Sequence, residues 1–204
     1  MNWDNLASQE LLDKTTENLK KNGLEVIVTG NKEEAKKKVL EILPKGAEIM
    51  TMTSISLKEI GLEEIINNSG EYKSVKKRLS AMDRATQNLE MQKLGAAPEW
   101  TLGSVHAVTE DGEILVVSNT GSQLGAYVYG SPHVIWVVGT QKIVKNLDEA
   151  MKRIYDYTLP LESERLSQAM GKPVESNVSK VLIIKKEIKQ GRLTLILVKE
   201  KIGF

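Results

Sequence analysis

Apolar residues recur along the chain in two periods. Leu6, Leu11, Leu12 and Leu19 fall near helical spacing, and Gly23 follows Lys20, Lys21 and Asn22, so residues 4–22 read as a helix. Residues 24–29 form a short run rich in β-branched side chains, which predicts a strand. Gly30 and Asn31 turn it into a second helix, about 32–43, which Pro44-Lys45-Gly46 closes before a strand at 47–52. This strand–helix–strand order implies a parallel pair with a right-handed crossover. Residues 62–68 read as a short helix. The charged stretch 72–95 reads as a longer one, with Leu79, Met82, Ala85, Leu89 and Leu94 on its buried side. Arg84 and Gln87 on that helix are candidates to face a cleft, although a solvated charged face is the plainer reading.

Residues 104–144 hold three strand-like runs, at 105–109, 114–117 and 134–138. Asp111-Gly112 between the first two is a hairpin signal. The run from Val134 to Val138 is apolar without alternation, as a central strand buried on both faces requires. Between the second and third runs lies a polar, glycine-bearing segment, followed by a short helix predicted at 122–129. Helices at 147–157 and 161–170 follow, the second opened by Pro160 and stopped by Gly171. Runs at 181–184 and 193–198, joined through Gln190-Gly191, suit a hairpin. The whole is expected to be an α/β protein of one domain, 1–204, to which the helix at 4–22 and the hairpin at 181–198 are additions.

Composition narrows the classes. The chain has 204 residues and a net charge of +1, and aromatic residues make up only 4%. No basic stripe is present, so a dedicated nucleic-acid binder is not expected. There is no cysteine and there are two histidines, His106 and His133. Iron–sulfur ligation, thiolate catalysis and cysteine or histidine-rich metal sites therefore drop out. No apolar run reaches membrane-spanning length, and the start carries no secretory pattern, so a cytoplasmic location is the expectation.

Candidate chemistry clusters at strand ends, where open α/β sheets bind ligands. Thr53, Ser54 and Ser56 follow the strand at 47–52 and offer hydroxyls at a helix start, either for an anion or as an ordinary cap. Asn119, Thr120, Gly121, Ser122 and Gln123 are a second donor-rich segment, suited to a phosphate or carboxylate. Glu162 and Arg165 stand three apart on one helix face, as a clamp on an anionic ligand or as a surface pair. Glu110, in Thr109-Glu110-Asp111-Gly112, is a candidate carboxylate nucleophile, with simple turn chemistry as the competing reading. His106 and His133 are each either a base at neutral pH or a structural, hydrogen-bonded residue. No Walker or GxGxxG pattern occurs, so no nucleotide cofactor follows, and none is identified by other means.

The wording of the central stretch adds a resemblance. Residues 103–107, Glu110-Asp111-Gly112-Glu113-Ile114, residues 118–123, Val137-Val138-Gly139-Thr140-Gln141-Lys142-Ile143-Val144 and Leu147-Asp148-Glu149-Ala150 resemble the LUD, or lactate-utilisation, domain. Residues 51–61 are similar to that domain's first pocket loop, and the likeness covers roughly residues 10–200. It implies a three-layer α/β/α, Rossmann-like fold, shared with sugar-phosphate isomerases and CoA transferases. It implies a role in lactate or related organic-acid utilisation, with a small anionic ligand in the cleft. Without cysteine the chain is similar to the cluster-free subunit of lactate-oxidising complexes, so an iron–sulfur or other redox partner is implied, and a homo-oligomer is expected. A self-sufficient enzyme of the isomerase or CoA-transferase type, using Glu110, and a small-molecule-binding regulatory module are the alternatives.

Overall fold

In a computed structural model that describes residues 2–204, ten strands divide between two sheets. The larger sheet comprises β1 (Glu25–Thr29), β2 (Glu48–Thr51), β3 (Lys73–Ser74), β4 (Trp100–Gly103), β7 (His133–Gly139) and β10 (Leu193–Val198). Their order across the sheet is β1-β10-β7-β4-β2-β3, and every pairing is parallel. The smaller sheet comprises β5 (Ala107–Thr109), β6 (Ile114–Ser118), β8 (Ile143–Val144) and β9 (Lys180–Ile184), in the order β8-β5-β6-β9.

The central strands are buried on both faces, and the period of two sorts their side chains between two cores. Val134, Trp136 and Val138 of β7 join Leu193, Leu195 and Leu197 of β10 in one cluster, which Leu12 and Leu19 complete from the helix α1 (Gln9–Lys21). Ile135, Val137, Ile196 and Val198 face the other way. They pack against Ala35 and Val39 of α2 (Lys32–Ile42), Leu57 of α3 (Ile55–Glu59) and Leu62 and Ile66 of α4 (Leu62–Asn68). Each such aliphatic side chain stabilises the fold by roughly 1.5–3 kcal/mol. The result is a parallel sheet with helices on both faces, the three-layer α/β/α architecture. The small sheet extends the first cluster through Val108, Ile114 and Val116. Its other face, with Ala107, Leu115 and Val117, packs on Ala150 of α7 (Leu147–Arg153).

Local signals placed most elements. Ser8 caps α1 by accepting the N–H of Leu11 at 3.2 Å, and Asn31 caps α2 by accepting that of Glu34 at 2.9 Å. Asp111-Gly112 forms the β5–β6 hairpin, with Gly112 at φ 81° where a side chain would strike the backbone of α1. The side-chain amides of Asn18 and Asn22 hold this turn by donating to the carbonyls of Glu110 and Asp111, both at 2.9 Å. Thus α1 packs on its own chain.

Four expectations are corrected. The runs at 181–184 and 193–198 do not pair as a hairpin. β9 is a half-exposed edge strand antiparallel to β6, whereas β10 lies inside the large sheet between β1 and β7. Burial explains the split, because LTLILV of β10 is apolar on both faces and finds two covered faces only at the sheet centre. β1 and β2 are parallel but not neighbours, since β10, β7 and β4 stand between them. The stretch 72–95 is two helices, α5 (Val75–Ser80) and α6 (Arg84–Ala96), because Asp83 caps a fresh start with bonds to the Ala85 N–H and the Thr86 hydroxyl, both at 2.9 Å. α6 buries none of its side chains, and Ala85 and Leu89 are exposed. Residues 147–157 and 161–170 join into one helical run, in which a π-helical turn at Ile154–Thr158 leads from α7 into α8 (Leu159–Met170). That widened turn precedes Pro160, which cannot donate to a regular helix.

Candidate functional site

Parallel strands all end on one side of their sheet, and here the chain leaves three of them into a common cleft. After β2 come Thr53, Ser54 and Ser56; after β4, Ser104, Val105 and His106; after β7, a 3₁₀ turn carrying Lys142. The end of β6 adds Ser118, Asn119, Thr120 and Gln123, and Tyr127 comes from the π-helical turn at Ala126–Gly130. Glu162, Arg165 and Leu166 of α8, with residues 176–178, form the remaining wall. The cavity measures about 400 Å³, within the range of small-molecule sites.

At its floor lies Lys142, 2% exposed. Its Nζ lies 3.3 Å from each of three oxygens: Ser56 Oγ, Ser104 Oγ and the Val105 carbonyl. Burial, then the positive charge of Arg153, pulls its pKa down to about 7, against a weaker opposing pull from Glu59. His106 beside it is half-buried, and its Nδ1 accepts the N–H of Val117 at 3.2 Å, which puts the ring proton on Nε2. Burial first, then Lys142 and Arg153, lowers its pKa to about 3, so the ring is neutral at ordinary pH.

Arg153 is wholly buried behind this floor, where burial lowers its pKa to about 10. One terminal nitrogen donates to the His106 carbonyl at 2.7 Å and to Thr158 Oγ1 at 3.1 Å, while Nε and Nη2 find no partner among the described residues. Tyr127, edge-on to Trp136 at 5.2 Å, is a neutral phenol whose pKa burial raises. Its hydroxyl fills the space over Gly103, where any side chain would collide with it.

The expected site residues divide. Thr53, Ser54, Ser56, Asn119, Thr120, Gln123, Glu162 and Arg165 all line the cleft. Ser54 is a cap, accepting the Leu57 N–H at 3.3 Å, whereas Ser56 serves Lys142. Gly121 and Ser122 are not in the lining. Gly121, at φ 86°, makes the turn, and the Ser122 N–H is engaged by Thr120 Oγ1 at 3.3 Å. Arg165 grips Glu162 through two bonds of 2.7 Å, which raises the arginine pKa. Arg84 and Gln87 are absent from the lining, and His133 stacks on Trp100 at 4.2 Å.

Glu110 is also outside the lining. It bonds Lys14 of α1, and the hairpin turn carries it away from the strand ends that build the cleft. The nucleophile reading of Glu110 therefore has no support in the cleft. Sequence reasoning passed over Lys142, Ser104, Tyr127 and Arg153. For Lys142 the signal was there: one lysine within Val137-Val138-Gly139-Thr140-Gln141-Lys142-Ile143-Val144, a run otherwise without charge.

The chain is thus a parallel-sheet α/β/α protein with a polar cleft at its strand ends. Within that class the chain belongs to the LUD domain family, whose model matches residues 12–198. A DUF162 family protein from Deinococcus radiodurans has a similar structure, with a TM-score of 0.58 and 13% identity over 95% of this chain and 99% of that one. At that identity the likeness speaks for the fold alone. Comparison with curated proteins gives no match. Among the described residues no helix is long and apolar enough to cross a membrane.

Proposed function

We propose that the protein binds a small anionic organic acid in this cleft and serves lactate or related organic-acid utilisation. The observation that carries the reading is Lys142, a buried amine at the cleft floor with Arg153 behind it and no carboxylate bonded to either. Two basic groups in a low-dielectric recess create a positive potential that an incoming carboxylate neutralises. Hydroxyls and amides of Ser104, Asn119, Thr120 and Gln123 around the same space supply orientation. Membership of the LUD family supports the organic-acid class. With no cysteine in the chain, electron transfer in that setting falls to a partner bearing an iron–sulfur or other redox group.

Titration calorimetry with L-lactate and pyruvate tests the binding. Saturable heat with at least one acid, with loss of affinity in Arg165→Ala, is expected; no heat with either acid overturns the reading. Affinity purification from the native cell tests the partner, whose absence, with unaltered growth on lactate after deletion, would sink that half.

A further inference from the structure

Lys142 is the single lysine buried among the described residues, and what surrounds it is unusual for a cation. A lysine kept as a structural ammonium meets carboxylates or carbonyls, which can only accept. Around its Nζ stand one carbonyl, Val105 O, and two hydroxyls, Ser56 Oγ and Ser104 Oγ. A hydroxyl can turn and donate to an amine lone pair, so this shell fits NH2 as well as NH3+. Glu59, the acid whose charge acts on Lys142, spends an oxygen on the N–H of Gly203 at 2.8 Å. The amine also lines the open cavity, where a ligand can reach it.

Building on the anion-binding reading, we propose that Lys142 is an amine nucleophile that captures the carbonyl of a small 2-oxo acid as an imine. The Nζ lone pair attacks the carbonyl carbon and a C–N bond forms. The C=O π pair moves to oxygen, which takes a proton to give a carbinolamine. Nζ gives up its two protons in turn through the Ser104 hydroxyl, the first to the former carbonyl oxygen and the second to the departing carbinolamine hydroxyl, which leaves as water as the C=N bond closes. Ketone and amine become imine and water, with no oxidant or reductant consumed. The substrate carboxylate meets the Nε2–H of neutral His106 and the amides of Asn119 and Gln123, which line the same cavity. A 2-hydroxy acid such as lactate fits the same donors but has no carbonyl to capture.

Incubating the full chain with pyruvate and cyanoborohydride, then mapping peptides by mass spectrometry, tests this. One reduced adduct at Lys142 is expected, favoured over any surface lysine by roughly a hundredfold or more at pH 7, because ordinary lysines are almost wholly protonated there. Trapping should rise as pH passes through about 7. Lys142→Arg should lose the adduct. Should that variant fail to fold, excess L-lactate serves instead, suppressing the adduct at Lys142 and sparing those on surface lysines. Calorimetric binding of pyruvate without enrichment at Lys142 overturns the imine and leaves the binding reading intact. No heat with either acid and no adduct overturns both.

Discussion

Nζ of Lys142 lies 3.3 Å from Oγ of Ser104, although 38 positions separate them in the chain. β4 and β7 are neighbours, with Gly103 opposite Trp136, so the first residue past β4 meets the turn that follows β7. The parallel register makes this contact, and the buried sheet centre takes the Lys142 side chain out of solvent. Lysine in such a place has its charged form disfavoured.

That disfavour has a pH signature. The folded pKa of Lys142 is about 7 against 10.5 unfolded. The unfolded chain therefore takes up a proton first as pH falls from 10.5, and stability is lost progressively down to about 7 and then levels off. Arg153, Glu59 and His106 are the charged or titratable neighbours that set this window. Lys142→Met removes the slope. The difference in unfolding free energy between variant and wild type should favour the variant most at pH 7 and shrink towards pH 10.5, as read by denaturant melts across that range. A pH-independent difference would contradict a buried, depressed lysine.

His106 titrates on the acid side with the same sign. It is neutral in both states above pH 6.5, and below that only the unfolded chain protonates it, down to about pH 3. Stability is therefore lost as pH falls through that window. His106→Gln, which can still accept the Val117 N–H, should fall less steeply on acidification. Parallel curves for the two proteins would count against a neutral His106.

Gly103→Ala should be destabilising by about 1–3 kcal/mol, the usual cost of overpacking. The added methyl would overlap the Tyr127 hydroxyl and sit 2.9 Å from Cζ, and Tyr127 is held edge-on to Trp136. The same shift would disturb the cleft, because Ser104 is the next residue. Thermal melts check the first effect and ligand titration the second; a variant as stable as wild type would show that Tyr127 moves freely.

Two charged residues, Glu110 and Arg165, separate the site from its surroundings. Glu110 bonds Lys14 outside the cleft, so Glu110→Gln should leave affinity for organic acids unchanged. Arg165 lines the cleft, so Arg165→Ala should weaken binding roughly tenfold, the scale of one charge-assisted hydrogen bond. Calorimetry on both variants decides, and the reverse ranking would return Glu110 to the chemistry.

Much of this architecture was legible in the chain. The unbroken apolar run of β7 announced a central strand, Asp111-Gly112 a hairpin, and Ser56, Asn119 and Gln123 a cleft at strand ends. Three things were hidden for physical reasons. β4 is four residues long and ends in glycine, too short to show a period. β9 and β10 looked like a hairpin because local turn chemistry is visible while the choice of sheet depends on distant neighbours. Lys142 and Arg153 are burials of charge, and a sequence shows the charge without showing what covers it.

The most direct test is titration calorimetry of pyruvate into wild-type protein and Lys142→Met at pH 7, with both shown folded by their melts. An organic-acid site with Lys142 at its floor predicts saturable heat with wild type and affinity at least roughly tenfold weaker in the variant, which lacks the buried amine. Equal affinity in the two proteins, or no heat with wild type, would contradict it.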